Sequence, residues 1–269
     1  LHGTLRSQII NLFNYKKPFI KVDKRSFKRW LLVKFKINLL KKLESHHERI
    51  NKDFQFLFDT KISKKNLIEN LTKQTKLQAG SLTSLGRSFI KDQSPLDKRY
   101  IVISPVASFK SKRWPLQNVS QLILKLLHSE KLKSYNIVII AGPEDTYVEE
   151  IYKYGVDPDE IRLKDYQGKT SLLDTINFIK HSELVVTNDT GATHFAEALG
   201  VPSLSLFGST SESFGFRPHL EKSRSISRDD LACRPCSATG KKDCFKQTNE
   251  CLRDISAETV FKYVEDTLC

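Results

Sequence analysis

Three short polar stretches carry residue types that hold a phosphorylated, hydroxylated ligand. The first runs Ser108-Phe-Lys110-Ser-Lys112-Arg113-Trp114-Pro115. Its hydroxyls and cations suit a pyrophosphate, with Lys112 as a point charge and backbone N–H groups as further donors. The second, Gly142-Pro143-Glu144-Asp145, sets carboxylates after a β-branched run. A carboxylate repels phosphate but accepts hydrogen bonds from ribose hydroxyls or a base amine. The third is Asn188-Asp189-Thr190-Gly191-Ala192-Thr193-His194. Here Asp189 suits sugar hydroxyls, Thr190, Gly191 and the nearby N–H groups suit phosphate, and His194 can donate to phosphate from the first helical turn. Turn formation and helix capping account for any one stretch taken singly. Three of them on one sheet edge point to a nucleotide-type site. Neither a glycine-rich P-loop nor a G-x-G-x-x-G fingerprint is present.

The elements around these stretches put them on that edge. Residues 184–187 form an apolar, β-branched run suited to a buried parallel strand. Residues 192–199 favour helix, Gly200 sits where a left-handed cap belongs, and 203–207 make a second buried strand. Upstream, 101–104 and 137–141 read as strands. Pro115 opens a helix with Val119, Leu122, Ile123, Leu126 and Leu127 on one face. Residues 145–154 read as a helix. Ser171 caps another, with Leu172, Leu173, Ile176 and Ile179 inward, and Ser256 caps a last one bearing Ala257, Val260, Phe261 and Val264. Strands alternating with helices predict a doubly wound parallel sheet, whose ligands bind at the carboxyl ends of the strands.

Charge divides the chain. Residues 1–99 carry 23 Lys/Arg against 8 Asp/Glu, while 100–269 carry 21 against 23, within a net charge of +13. The basic part suits an acidic partner such as a phosphorylated lipid, a membrane surface or nucleic acid; a solvated, lysine-rich surface is the plain alternative. Within it, 1–15 reads as a helix and 18–22 as a short strand. Residues 24–42 alternate basic and apolar types at helical spacing, either a membrane-touching face or a surface helix with an apolar inner side. Residues 43–80 are partly helical in pattern, and 80–99 read as a linker. The expected division is an incomplete first domain, 1–95, and a second, 96–269, whose last helix can pack back on the first. No apolar run reaches the length of a membrane span. The chain begins with Leu1 and contains no Met, so a fragment lacking its true N-terminus is expected.

The motifs, taken in order, resemble those of glycosyltransferase family nine, which includes the ADP-heptose–lipopolysaccharide heptosyltransferases. They are Lys112-Arg-Trp-Pro115, Gly142-Pro-Glu144, Asn188-Asp-Thr-Gly191 followed by His194, Ala196, Ala198 and Gly200, and Leu206-Phe-Gly-Ser-Thr210. Leu1-His-Gly-Thr-Leu-Arg-Ser7 and Lys24-Arg25-Ser26 with Arg29 resemble the family's early segments. The resemblance implies a GT-B architecture of two facing Rossmann-like domains, the N-terminal one incomplete here. It implies an ADP-sugar donor held by Ser108, Lys112, Glu144, Thr170, Asp189, Thr190, Gly191 and His194. It also implies an anionic lipid-linked glycan acceptor, for which Arg6, Lys24, Arg25, Lys28 and Arg29 are the contacts expected. Catalysis needs no metal or other cofactor, and the base is an Asp of an N-terminal glycine-rich loop, expected before Leu1. The fragment alone is therefore expected to be inactive. A cytoplasmic enzyme is implied, with peripheral contact at the inner face of the cytoplasmic membrane. The non-enzymatic alternative is a nucleotide-sugar or glycan-binding remnant without the base. Nucleic acid is not an expected partner, because no DNA- or RNA-binding motif accompanies the basic region.

Four cysteines, Cys233, Cys236, Cys244 and Cys251, form a separate cluster, and Cys269 is terminal. A CxxC pair with two further cysteines can hold structural zinc, although a second CxxC is missing. Buried or redox-labile thiols are the alternative.

Overall fold

The computed structural model describes residues 26–36 and 93–269. The helix expected at 1–15, the strand at 18–22, the helical content of 43–80 and most of the linker lie outside the described residues. So do Arg6, Lys24 and Arg25. Helix α1, Ser26–Phe35, lies within the amphipathic stretch expected at 24–42.

From residue 100 the chain builds one six-stranded sheet with helices on both faces. In chain order come β1 (Tyr100–Ser104), α2 (Leu116–His128), β2 (Asn136–Ile139), β3 (Leu163–Asp165), α3 (Leu172–Lys180) and β4 (Leu184–Asn188). There follow α4 (Gly191–Leu199), β5 (Ser203–Phe207), β6 (Arg224–Ser227), α5 (Glu250–Arg253) and α6 (Ala257–Leu268). The strand order is β3-β2-β1-β4-β5-β6, and every pair is parallel. This is the doubly wound order, with the direction of winding reversing between β1 and β4.

The central strands are buried on both faces, which is why they read as continuous apolar runs. Ile101, Ile103, Ile137, Ile139, Leu184, Val186, Leu204 and Leu206 face one core with Leu122, Ile123, Val260 and Val264 of α2 and α6. Tyr100, Val102, Val138, Ile140 and Val185 face the other, with Phe178, Ile179 and Ala196 of α3 and α4. Alternate residues of one strand thus serve opposite layers. Helix α6 packs on α2. The expectation that this last helix packs back on the first domain falls on a segment that lies mostly outside the described residues.

Four elements differ from the sequence expectation, one of them the short helix α5, to which no expected helix corresponds. Residues Thr146–Tyr154 form 3-10 turns rather than an α-helix. The two fully buried side chains, Val148 and Ile151, are three apart, a spacing that stacks side chains on a three-residue turn. Strands β3 and β6 have no counterpart among the expected strands. Their sequences, Leu-Lys-Asp and Arg-Ser-Ile-Ser, lack an apolar run because they pair at the two sheet edges.

Candidate functional site

The loops after β1, β2, β3 and β4 all leave the carboxyl edge of the sheet, and the sequence ties them to one another. Asn188, the last residue of β4, is 1% exposed. Its Nδ2 donates to the carbonyls of Pro105 (2.8 Å) and Val106 (3.2 Å), and its Oδ1 accepts from the Trp114 N–H (3.2 Å). One amide therefore fixes both ends of the β1 loop. Arg113 donates from Nε to the Ala107 carbonyl (2.7 Å) and stacks over the Tyr147 ring, and the Tyr147 hydroxyl accepts from the Ala107 N–H (3.2 Å). These contacts join the β1 loop to the β2 loop. The Gly168 N–H, donating to the Ala141 carbonyl, adds the β3 loop.

Within this frame Lys112 Nζ lies 2.8 Å from Asp189 Oδ2. The Thr210 hydroxyl donates to the same oxygen at 2.7 Å, and the Asp189 N–H bonds the Leu206 carbonyl. The pair is nearly dry: the two side chains are 16% and 8% exposed. In a medium of low polarity such a pair attracts strongly, and each charge is costly if left alone. Sequence reasoning assigned Lys112 to phosphate and Asp189 to hydroxyls but did not foresee that they bind each other. Thr190 takes extended backbone before α4 without capping it through its side chain, and its hydroxyl bonds that of Thr187 (3.1 Å). The helix therefore presents uncapped N–H groups beside the pair.

His194 is exposed on the first turn of α4, with its ring edge-on to Phe216, 6.0 Å between centroids. Enough protein surrounds the ring for desolvation to lower its pKa; Asp189 opposes this and Lys112 adds to it. The net direction leaves a neutral imidazole at neutral pH. Glu144 is exposed, yet its carboxylate folds back on its own loop: a Cβ on Gly142 would lie 2.9 Å from both its oxygens. Ser108 is exposed, and the Thr170 hydroxyl bonds that of Thr175 on α3 (3.1 Å). These three residues share the edge with Lys112 and Asp189 without bonding to them.

Several residues build the site through contacts that their stretches of sequence do not announce. The Ser111 hydroxyl bonds the Ser209 hydroxyl and the Gly240 carbonyl, both at 2.8 Å. A Cβ on Gly208 would come within 2.5 Å of the Ser111 carbonyl oxygen, so only glycine lets the Lys110–Lys112 turn close on the end of β5. Gly240 has φ +86°, and a Cβ there would lie 2.3 Å from Lys112 Cδ. It lets the lysine stem pass toward Asp189. No local pattern marks a glycine so far along the chain as part of a lysine's channel.

The cysteine cluster is not arranged as the zinc expectation requires. Among the described residues no group of three or more His, Cys, Asp or Glu side chains is placed to hold a metal ion. The four thiols do line one cavity of about 20 Å³, room for about one water. Each meets different surroundings. Cys251 belongs to the apolar core, and burial pushes its thiol up to about 11. The Cys236 thiol points at the Ser209 carbonyl. Burial also pushes the Cys244 thiol up, but N–H groups from 246 to 249 outweigh this and hold it below its ordinary value.

Of the basic residues expected to meet an acceptor, Lys28 is exposed on α1. Arg29 reaches residues far along the chain: Nη2 donates to the Phe214 carbonyl (2.9 Å), and the guanidinium lies over the rings of Phe214 and Phe216.

A family model described as glycosyltransferase family 9 (heptosyltransferase) matches residues 1–246. The chain belongs to glycosyltransferase family 9. Lipooligosaccharide heptosyltransferase 2 of Campylobacter jejuni is 27% identical over 185 residues, covering 66% of this chain and 55% of that protein. The Haemophilus influenzae protein of the same name is 30% identical over 148 residues, 54% of this chain and 40% of its own length. The chain thus spans about half the length, or less, of these curated relatives. Among solved structures, Escherichia coli ADP-heptose lps heptosyltransferase II matches with TM-score 0.52 and 23% identity, over 72% of this chain and 52% of the other. E. coli heptosyltransferase WaaC with ADP matches with TM-score 0.55 and 19% identity, over 85% and 58%. The α/β fold of this family 9 chain is the GT-B fold of those neighbours. No helix among its described residues is long and apolar enough to cross a membrane.

Proposed function

We propose that this chain serves an inverting glycosyltransferase that moves a heptose or related sugar from an ADP-sugar to a lipopolysaccharide core acceptor. The observation that carries the reading is the buried Lys112–Asp189–Thr210 constellation at the mouth of a doubly wound sheet, in a family 9 chain. The names of the relatives, and a neighbour solved with ADP, support a heptose donor activated by ADP.

In this reading residues 96–269 form the donor side and 1–95 part of the acceptor side. Lys112 and the N–H groups at the start of α4, from Gly191 on, meet the diphosphate, and neutral His194 donates a further hydrogen bond. Thr190 and Ser108 add hydroxyl donors, as does Thr170. Glu144 accepts from ribose hydroxyls. Asp189 holds Lys112 in place and accepts from a sugar hydroxyl with its remaining lone pairs. A base deprotonates the acceptor hydroxyl, and the oxygen attacks the anomeric carbon from the face opposite the leaving group. The C–O bond to ADP breaks, and Lys112 and the helix N–H groups stabilise the charge gathering on the departing diphosphate. No residue of this chain is assigned as the base, and no metal takes part. The acceptor is anionic, and Arg6, Lys24, Arg25 and Lys28 give its side of the cleft a matching charge. The enzyme would work in the cytoplasm, at the inner face of the membrane.

Incubation of the purified chain with ADP-heptose and a Kdo-bearing lipid acceptor tests the reading. The expected result is binding of ADP-heptose by this chain and, in a chain that also carries the base, ADP release matched by glycosylated lipid of inverted anomeric configuration. Failure to bind ADP-heptose at all would contradict it. Binding without transfer even in a chain that carries the base would favour the nucleotide-sugar-binding remnant.

A further inference from the structure

Helix α1 docks on the second domain at two places. Arg29 bonds the Phe214 carbonyl at 2.9 Å and lies 5.6 and 5.1 Å from the ring centroids of Phe214 and Phe216. One turn on, Leu32, 7% exposed, packs with Phe214 in a small cluster of their own, flanked by Val33 and Phe216. At the end of the helix Lys36 Nζ donates to the carbonyls of Cys233 (2.9 Å) and Pro235 (2.8 Å). Both anchor loops lead straight to the donor site. The first begins at Thr210, the partner of Asp189. In the second, Arg234 donates to the carbonyls of Gly208 (2.6 Å) and Thr210 (3.0 Å).

Phe216 is the link that matters most. One of its neighbours is the Arg29 guanidinium and another is the His194 ring, edge-on with 6.0 Å between centroids and 63° between planes. A helix serving only to staple the two parts together needs Leu32 against Phe214 and nothing more. The guanidinium over Phe216 has a further consequence, because a ring held in place restricts the rotamers open to the imidazole beside it.

We propose that Arg29 is a positioning residue of the donor site: it holds Phe216 against His194 and so fixes where the imidazole meets the donor's diphosphate. The second half of that statement rests on the donor-binding reading above. The first half does not. By this route a residue of the basic N-terminal region, expected from sequence to touch the acceptor, acts on the donor. Docking of α1 and donor binding then favour each other, since each rewards the same placement of Phe216.

The test uses the full chain with its histidines isotopically labelled. Arg29→Ala is expected to move the His194 ring signals in the ligand-free protein and to weaken ADP binding about five- to tenfold. Arg29→Lys, which keeps the charge but loses the flat guanidinium, should recover only part of both effects. Phe216→Leu should reproduce the Arg29→Ala changes, and adding Arg29→Ala to it should change little further, as for residues acting through one chain of contacts. Unmoved His194 signals in Arg29→Ala, or additive losses in the double variant, would overturn the proposal. Should Arg29→Ala fail to fold, Phe216→Leu and Arg29→Lys decide the question through the same two readouts. A wild-type chain that does not bind ADP would sink the donor-site half and the functional reading, while the His194 signals still decide whether Arg29 positions the ring.

Discussion

Lys112 and Asp189 neutralise each other in a nearly dry setting, and this sets what a ligand must do. In the reading proposed above, Asp189 aims the ammonium and a diphosphate takes the hydrogen bonds the ammonium still has to give, while Thr210 keeps the carboxylate satisfied. Lys112→Ala removes the cation and leaves Asp189 buried beside a single hydroxyl. A hydrogen bond to a charged group contributes about 1.5–3 kcal/mol, so ADP affinity measured by calorimetry should fall roughly tenfold or more. Thermal unfolding should also come several degrees earlier, because an uncompensated buried charge costs on the order of 3 kcal/mol. Gly240→Ala acts on the same lysine without touching its charge. Its Cβ would occupy the path of Lys112 Cδ at a residue whose φ is +86°. We expect a loss of about 1–3 kcal/mol in denaturant unfolding, together with weakened ADP binding. Unchanged ADP affinity in Gly240→Ala would mean that the stem's path does not matter.

At the scale of elements, the helices are held by the devices the sequence announced. Ser171 accepts from the Asp174 N–H, and Asp174 accepts from that of Ser171, a complete capping box on α3. Ser171→Ala should cost about 1 kcal/mol in chemical denaturation while leaving ADP binding intact. Gly200 ends α4 at φ +80°, as its place in the sequence predicts. What local patterns could not show is the far side of α4. Glu197, 4% exposed, accepts from the Ser203 and Ser223 hydroxyls and from the N–H groups of His219 and Leu220, with His219 Nδ1 at 2.9 Å. Burial alone would raise its pKa, but these bonds outweigh burial and pull it from 4.5 down to about 2. The unfolded chain therefore takes up a proton in acid more readily than the folded one does. Stability from Glu197 is complete above about pH 4.5 and is lost as pH falls toward 2, a change on the order of 3 kcal/mol. Glu197→Gln should be less stable at pH 7 and show a flatter unfolding profile across that window. A profile parallel to wild type would count against this role for Glu197.

Taken as a whole, the molecule was most legible where one physical rule dominates. Burial on both faces made β1, β2, β4 and β5 readable as apolar runs, and glycine and serine punctuation marked their helices. Edge strands β3 and β6 escaped because pairing on one side alone lets charged residues stand there. The site was readable as a set of motifs but not as a set of contacts. Asn188, Gly208, Gly240 and Thr210 act through distant partners, which no spacing along the chain reveals. The same holds for Arg29, whose hydrogen bond to the Phe214 carbonyl and place over the Phe214 and Phe216 rings no local pattern announces. The four cysteines show the converse case, since a suggestive spacing does not bring three ligands to one point. The central claim is that the carboxyl edge of this sheet holds a nucleoside diphosphate through Lys112 and Asp189. Calorimetric titration of ADP into the wild-type chain and into Asp189→Ala tests it most directly. One-to-one saturable binding by wild type is expected, with binding by the variant at least tenfold weaker. Absence of binding by wild type, or equal affinities in the two, would contradict the claim.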